Sequence, residues 1–398
     1  MNVFTIQHWD LLSVVLYSIM GLVPIFAIYK TNHHSSEIVL WKNKFYIFWI
    51  VIWVLFASFR YIGDGIGGTD AENYLTFFEH CFNVRGFTGS VAQYYDNIGF
   101  RWYNQILYLI YPNDRFYLIV TYGILTVGII YFVNFFRFKR ESSIPFFLLV
   151  FWYLRGFSSI RSNLAAIILL ISFVFLYKKK YAISIAIIII SFLIHSASAL
   201  FALFIPFYFF YKKKNIGYKN VILIITLLFG ITTSIKGLFL QHINLFGETF
   251  SDQYEYYVVS GDQTFFVGFW KIAFEQLLLL LFMILNRRGL LSFKSTLGHD
   301  DQSKFDFIYK LCLYDFMLIP ICYALNIWRG YEFLYIPRLI MWAILVYIGS
   351  TKCSKWFIPI YKLVIFCLFL GWFLQRTSAE SFWLETSLMP YVFAPLIN

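Results

Sequence analysis

The residues best able to do chemistry here are arginines standing where lysines would serve charge equally well. Arg60, Arg101, Arg155, Arg161, Arg329 and Arg338 all lie at or near the ends of long apolar stretches. A guanidinium presents a planar fork of donors that matches phosphate or carboxylate in a bidentate way, which an ammonium cannot do. The group therefore reads as a set of anion ligands. The plainer reading is that each arginine snorkels at a helix end or pairs with a nearby acid.

Each arginine comes with company. The run Arg60-Tyr61-Ile62-Gly63-Asp64-Gly65-Ile66-Gly67-Gly68-Thr69-Asp70-Ala71-Glu72-Asn73-Tyr74 has glycines for a tight irregular backbone, followed by a helix on which Asp70 and Tyr74 share a face. Asp70 is a candidate base. Thr69 with Glu72 also makes a capping box, which would give Asp70 and Glu72 a structural role. The glycines do not follow a strand, so a dinucleotide-type phosphate loop is excluded.

Asp96 and Arg101 open the short apolar segment 98–111 and suit either a lipid headgroup or an interfacial anchor. Arg155 and Arg161 flank Ser158 and Ser159 at a tight turn, a possible anion cradle at a helix start, although capping alone would explain the serines. His195, followed by Ser196-Ala197-Ser198, can be a base, a donor or a core residue. Arg329, Glu332 and Arg338 form a late turn, with Arg338 inside an apolar stretch, where an ionisable group needs a polar cavity or a partner. Asp315 and Lys310 read as a structural pair with a neighbouring helix.

The elements that must position these residues are membrane helices. The chain of 398 residues is 60% hydrophobic and 13% charged, more apolar surface than a water-soluble domain can cover. About 20 apolar residues cross the hydrocarbon core. Spans are expected near 9–29, 44–60, 115–136, 144–157, 160–177, 181–195, 197–211, 219–236, 266–286, 305–326, 333–350 and 357–375, with 98–111 re-entrant or interfacial. The first apolar run follows Asp10 without a basic leader and reads as a span, not a cleavable signal. The fold class is thus all-α, a single polytopic bundle over 1–398, with external loops at 62–114 and 237–265 that carry short helices.

Alternate loops hold Lys30, Lys42, Arg137, Lys139, Arg140, Lys178, Lys179, Lys180, Lys212, Lys213, Lys214, Lys219, Arg287, Arg288, Lys294, Lys304, Lys352 and Lys355, and the positive-inside bias makes this lysine-rich set cytoplasmic. The other face carries Arg60, Arg85, Arg101, Arg115, Arg155, Arg161, Arg329, Arg338 and Arg376 against Lys236 and Lys271. All the candidate chemistry falls on that outer face. The net charge of +11 is distributed as topology signals and not as a nucleic-acid groove, so no nucleic-acid partner is expected. Cys81, Cys312, Cys322, Cys353 and Cys367 form no metal-type pair, and neither a metal site nor a disulfide framework is expected. The cytoplasmic loops, of which 287–304 is the longest, are too short for a folded nucleotide-sugar domain of roughly 100 residues.

At these residues the chain resembles the EpsG/Wzy family of O-antigen and exopolysaccharide polymerases. The resemblance is carried by Arg60, Gly68, Asp70 and Tyr74; by Asp96, Gly99, Phe100 and Asn104; by Arg161 and Ala165; by Phe192, His195, Ser196 and Ala197; by Arg329 and Arg338; and by the Met389-Pro390-Tyr391 ending. Asp96 departs from the glutamate common in the family, and Ser162 from its glutamine. The resemblance implies a GT-C-like, metal-independent glycosyltransferase without cofactor on the periplasmic face of the bacterial inner membrane, in lipopolysaccharide or related polysaccharide biosynthesis. It would move a growing glycan from undecaprenyl diphosphate to the terminal sugar hydroxyl of a lipid-linked repeat unit. Asp70, then Asp96 or His195, would serve as base. Arg60, Tyr74, Arg101, Arg155, Arg161, Arg329 and Arg338 would hold substrate and leaving diphosphate. Partners would be the undecaprenyl-diphosphate-linked oligosaccharide, membrane lipid and a chain-length co-polymerase. Competing readings are an O-antigen ligase, a lipid-linked oligosaccharide flippase and a structural membrane subunit.

Overall fold

A computed structural model of the protein describes residues 11–31, 42–62, 67–68, 70–83, 94, 97–138, 141, 143–211, 218–231, 234, 262–324, 330–352 and 362–371. Every regular element among them is helical. The chain forms two compact units, one of Met1–Ser196 with Trp342–Asn398, the other of Ala197–Met341.

The first unit begins with α1 (Leu11–Lys30), α2 (Lys44–Ser58), α3 (Ala71–Glu79), α4 (Ile98–Ile110) and α5 (Asp114–Phe136). A 3-10 turn, Ile144–Leu148, then leads into α6 (Leu149–Ser158), followed by α7 (Ile160–Tyr177) and α8 (Tyr181–Ile194). Close approach of these helices rests on small residues and hydroxyls, as expected where lipid gives no hydrophobic drive between helices. Ser184 and Ser191 of α8 donate to the carbonyls of Ser172 and Ala165 on α7, at 3.0 and 2.8 Å. Gly128 lets α5 press against α7, since a Cβ there would sit 2.5 Å from Ile167. Outward faces are apolar: Ile47, Phe48, Val51 and Leu55 on α2, and Ile185, Ile189 and Phe192 on α8, are all exposed.

At one end of this unit Arg137 gathers three helices. Its Nη2 donates to Thr31 Oγ1 at 2.7 Å and to Tyr46 Oη at 3.2 Å, and its Nε to Asn134 Oδ1 at 3.3 Å. Lys30, Lys44 and Lys178–Lys180 lie at the same end, so the lysine-rich loops of the sequence do share one pole of the unit.

The second unit holds α9 (Ser198–Ala202), α10 (Phe204–Phe210), α11 (Tyr218–Gly230), α12 (Asp262–Leu285), α13 (Arg287–Ser295), α14 (His299–Ala324) and the start of α15 (Tyr335–Lys352). Lys310 donates to the Tyr211 carbonyl at 2.8 Å and Tyr314 to that of Leu200 at 2.6 Å, fixing α9 and α10 to α14. A last helix, α16 (Lys362–Gly371), returns to the first unit.

A helix occupies each of the twelve stretches read as spans. Ser13–Lys30, Asp114–Phe136, Ile160–Tyr177 and His299–Ala324 are long and apolar enough to cross a membrane, and a fifth is added if Ala273–Leu285 and α13, bent by 71°, count as one. The remaining apolar helices are shorter. Three details differ from the sequence reading. The stretch 197–211 is broken at Leu203, because Pro206 has no N–H for the carbonyl four residues back. The loop 287–304 contains the amphipathic α13. Finally, α14 starts six residues before the predicted 305: Lys304 pairs with Asp300 and Asp301 at 3.0 and 3.5 Å, which extends the helix by a polar turn that apolar patterning does not register. The loop 237–265 lies outside the described residues up to 261.

Candidate functional site

The end of the first unit opposite Arg137 is built around Arg60. Its guanidinium, 2% exposed, turns inward just past α2. Nε donates to the Gly67 carbonyl at 2.9 Å, Nη1 to that of Ala57, and Nη2 to Tyr122 Oη at 2.9 Å and the Phe157 carbonyl at 3.2 Å. The Phe157 ring lies 4.1 Å from the guanidinium carbon. Arg115 adds two bonds of 2.8 Å from Nη1 to the carbonyls of Ser58 and Arg60. These two arginines hold the turn leaving α2 against α5 and α6. Gly67 and Gly68 complete it with φ of 87° and 118°, and a Cβ on Gly68 would fall 2.4 Å from the Phe157 carbonyl. Gly67 and Gly68 thus serve a tight turn pressed onto another chain segment, while Gly63 and Gly65 lie outside the described residues.

The turn delivers α3. Asp70 occupies its capping position but makes no side-chain capping bond, and Thr69 lies outside the described residues. Four residues on, the buried Tyr74 stacks on Tyr94 with ring centroids 4.7 Å apart, and the guanidinium of Arg161 lies over the same Tyr94 ring at 5.0 Å. Arg161 is in the first turn of α7, an 18-residue helix whose amide end favours negative charge. Ser159 caps that helix by position, yet its side chain makes no capping bond. Arg161 Nε and Tyr74 Oη are buried and have no hydrogen-bond partner among the described residues. An orphaned buried donor costs about 1–3 kcal/mol, so these two groups fit a ligand rich in acceptor oxygens.

Around them stand the other candidates. Gly99 brings α4 onto the last turn of α8, where a Cβ would lie 2.7 Å from the Leu193 backbone. This contact sets the end of α8 bearing His195 beside the end of α4 bearing Arg101. Arg155, in the last turn of α6, lies over Phe151 at 5.1 Å. Arg60, Asp70, Tyr74, Arg101, Arg155, Arg161 and His195 therefore come from six helix ends and converge on one pole of the unit. Tyr94, Tyr103, Tyr117 and Tyr122, which the sequence reading passed over, fill the space between them. In a chain with 30 tyrosines nothing in their local sequence singles them out.

Arg338 sits in the second unit, fully buried and committed to carboxylates, with Nη1 2.6 Å from Asp315 and Nε 2.7 Å from Glu275. Gln276 donates to the same Asp315 oxygen at 2.9 Å. The partner of Asp315 is thus Arg338, while Lys310 caps the end of α10. Asp96 and Arg329 lie outside the described residues.

The EpsG family model matches residues 43–393 of the chain. No curated protein matches it, and no solved structure does.

Proposed function

The chain belongs to the EpsG family, and from that membership and the arginine-ringed pole of its first unit we propose that it is a polysaccharide polymerase acting on lipid-linked glycans. In this reading the twelve apolar helices span the bacterial inner membrane in a GT-C-like bundle, and the arginine pole faces the periplasm, opposite the lysine-rich loops. The donor is a growing glycan on undecaprenyl diphosphate and the acceptor the terminal hydroxyl of a lipid-linked repeat unit.

The observation that carries the reading is Arg161, a guanidinium at a helix amide end whose buried Nε lacks a partner among the described residues. As the acceptor oxygen attacks C1, the C1–O bond to the diphosphate breaks and negative charge grows on the leaving group. Arg161, with Arg101 and Arg155 at the same pole, stabilises that charge. Asp70 takes the proton of the attacking hydroxyl, with His195 and Asp96 as the other bases of the site. Tyr74 donates to the substrate. Arg60 acts through the turn it holds, while Arg338 is spent on the carboxylates of the second unit.

Arg161→Lys keeps the charge and loses the fork. A lost donor to a developing oxyanion costs about 3–4 kcal/mol, on the order of 10²–10³ in rate. A strain carrying the variant should therefore display glycan with one or a few repeats on a gel, while the protein remains in the membrane at parental level. Long chains of parental distribution would remove Arg161 from the site and with it the basis of the proposal.

A further inference from the structure

Where the sequence reading expected only a loop after α12, residues Arg287–Ser295 fold as α13, bent by 71° from the apolar stretch Ala273–Leu285. The helix is two-faced. Leu290 and Phe293 are buried, with the Phe293 ring 6.0 Å from that of Phe305 on α14. Arg287, Leu291 and Ser295, each four residues after the last, are exposed together with Arg288. With α12 spanning the bilayer as proposed, the bend lays α13 close to the membrane plane, the posture of an interfacial helix.

Some of the cations around α13 are already spent. Lys294 Nζ lies 2.7 Å from Asp306, and Lys304 pairs with Asp300 and Asp301 at 3.0 and 3.5 Å. Arg287, Arg288 and Lys219 are exposed and form no ion pair among the described residues. Tyr218, next to Lys219 at the start of α11, donates to the Met283 carbonyl at 3.1 Å and is within electrostatic range of Arg287. The three charges therefore gather at one end of the second unit. Along α12 from them, Leu281 and Leu285 are exposed as well.

Unspent cations beside an apolar strip suit an amphiphile. A soluble phosphate or a nucleic acid would leave Leu281, Leu285 and Leu291 in water. A phospholipid of negative charge answers both halves, with its phosphate at the guanidinium groups and its acyl chains along the leucines. We propose that α13 and Lys219 form a headgroup site for an anionic phospholipid of the surrounding bilayer, of the phosphatidylglycerol class. The site belongs to the second unit, and it rests on α12 spanning the bilayer and not on the polymerase chemistry.

In a Cys353→Ser, Cys367→Ser background, Ser295→Cys takes a fluorophore one turn past Leu291 on the exposed face, and the full-length chain is reconstituted in phosphatidylcholine vesicles. Phosphatidylglycerol or phosphatidylcholine bearing a nitroxide at the top of one acyl chain is added, and quenching is followed against its share of the lipid. The parent should be quenched at a lower share of phosphatidylglycerol, and salt should weaken that preference. One interfacial cation is worth about fivefold in affinity for anionic lipid, so Arg287→Gln and Arg288→Gln should each cut the preference by about that factor. Both side chains are exposed, and neither change disturbs the packing of Leu290 and Phe293. Lys179→Gln, in the first unit, should leave the preference at its parental size. Equal quenching by the two lipids would make α13 a solvated basic face and overturn the site. A preference that survives the double substitution would come from the general surface potential and overturn it as well. Quenching by neither lipid would take α13 out of the interface. Competition by glycerol phosphate added to the water would make the ligand a free phosphate and overturn the lipid assignment.

Discussion

Arg60 and Arg161 are the same residue type in the same sequence context, an arginine just outside an apolar stretch, and they meet opposite surroundings. Arg60 bonds three carbonyls and a phenol, whereas Arg161 has the face of Tyr94 and an orphaned Nε. Lysine cannot reach all of Arg60's acceptors, and hydrogen bonds from a charged donor are worth about 1.5–3 kcal/mol each without being additive. Arg60→Lys should lower stability by about 2–3 kcal/mol, read as an earlier unfolding midpoint in detergent and less protein in the membrane. Arg161→Lys should leave both unchanged, and equal destabilisation of the two variants would contradict the division of roles. The sequence makes arginine's abundance on one face plain. It cannot show which guanidinium turns inward, because two of the atoms that decide it for Arg60 belong to Tyr122 and Phe157, distant in the chain.

At the scale of elements, the candidate site depends on α3 and α4 staying docked, since they carry Asp70, Tyr74 and Arg101. Both are short, and α4 is amphipathic: Phe100, Asn104 and Leu107 face inward, while Trp102, Ile106 and Leu109 are exposed, one turn apart. Its shortness, too few apolar residues to span, is what made 98–111 readable as a re-entrant or interfacial segment. The docking itself was not readable, because it turns on Gly99 meeting the Leu193 backbone and on Gln105 donating to the Cys81 carbonyl at 3.0 Å. Gly99→Ala forces α4 outward, and overpacking of this kind typically costs about 1–3 kcal/mol. Cys81 reports the result. It is fully buried, and burial pushes its thiol up to about 11. Only the thiolate is nucleophilic, so at pH 8 the parent should resist maleimide. The raised value also means that Cys81 supports the fold below the ordinary thiol range, an effect lost as pH climbs through about 11. Gly99→Ala should speed maleimide labelling of Cys81 at pH 8 in a Cys353→Ser, Cys367→Ser background. An unchanged labelling rate would mean that α4 does not depend on that contact.

For the whole molecule, the poles of the first unit differ in kind. One carries Arg137 with Lys30 and Lys178–Lys180, the other the arginines and His195 of the candidate site. Composition and the positive-inside bias made this polarity visible, because both act through many residues and tolerate errors at any one. The buried Arg338, Asp315 and Glu275 of the second unit were only half visible: their cost in lipid predicts a partner, while pairing across α12, α14 and α15 requires the fold. Orientation is the point on which the proposed chemistry depends, since in that reading a lipid-linked glycan delivered outside must meet the arginine pole there. Two exposed turns report it. Pro112 lies between α4 and α5 at the arginine pole, and Lys179 between α7 and α8 at the other, in a left-handed turn with φ of 59°. In the background lacking Cys353 and Cys367, a membrane-impermeant maleimide should label Pro112→Cys in intact spheroplasts and Lys179→Cys only after the membrane is opened. Cys81, Cys312 and Cys322 are buried and should stay silent. The reverse pattern would turn the arginines toward the cytoplasm, where the donor glycan would have to be assembled and polymerised before export, and the periplasmic mechanism would fail with it.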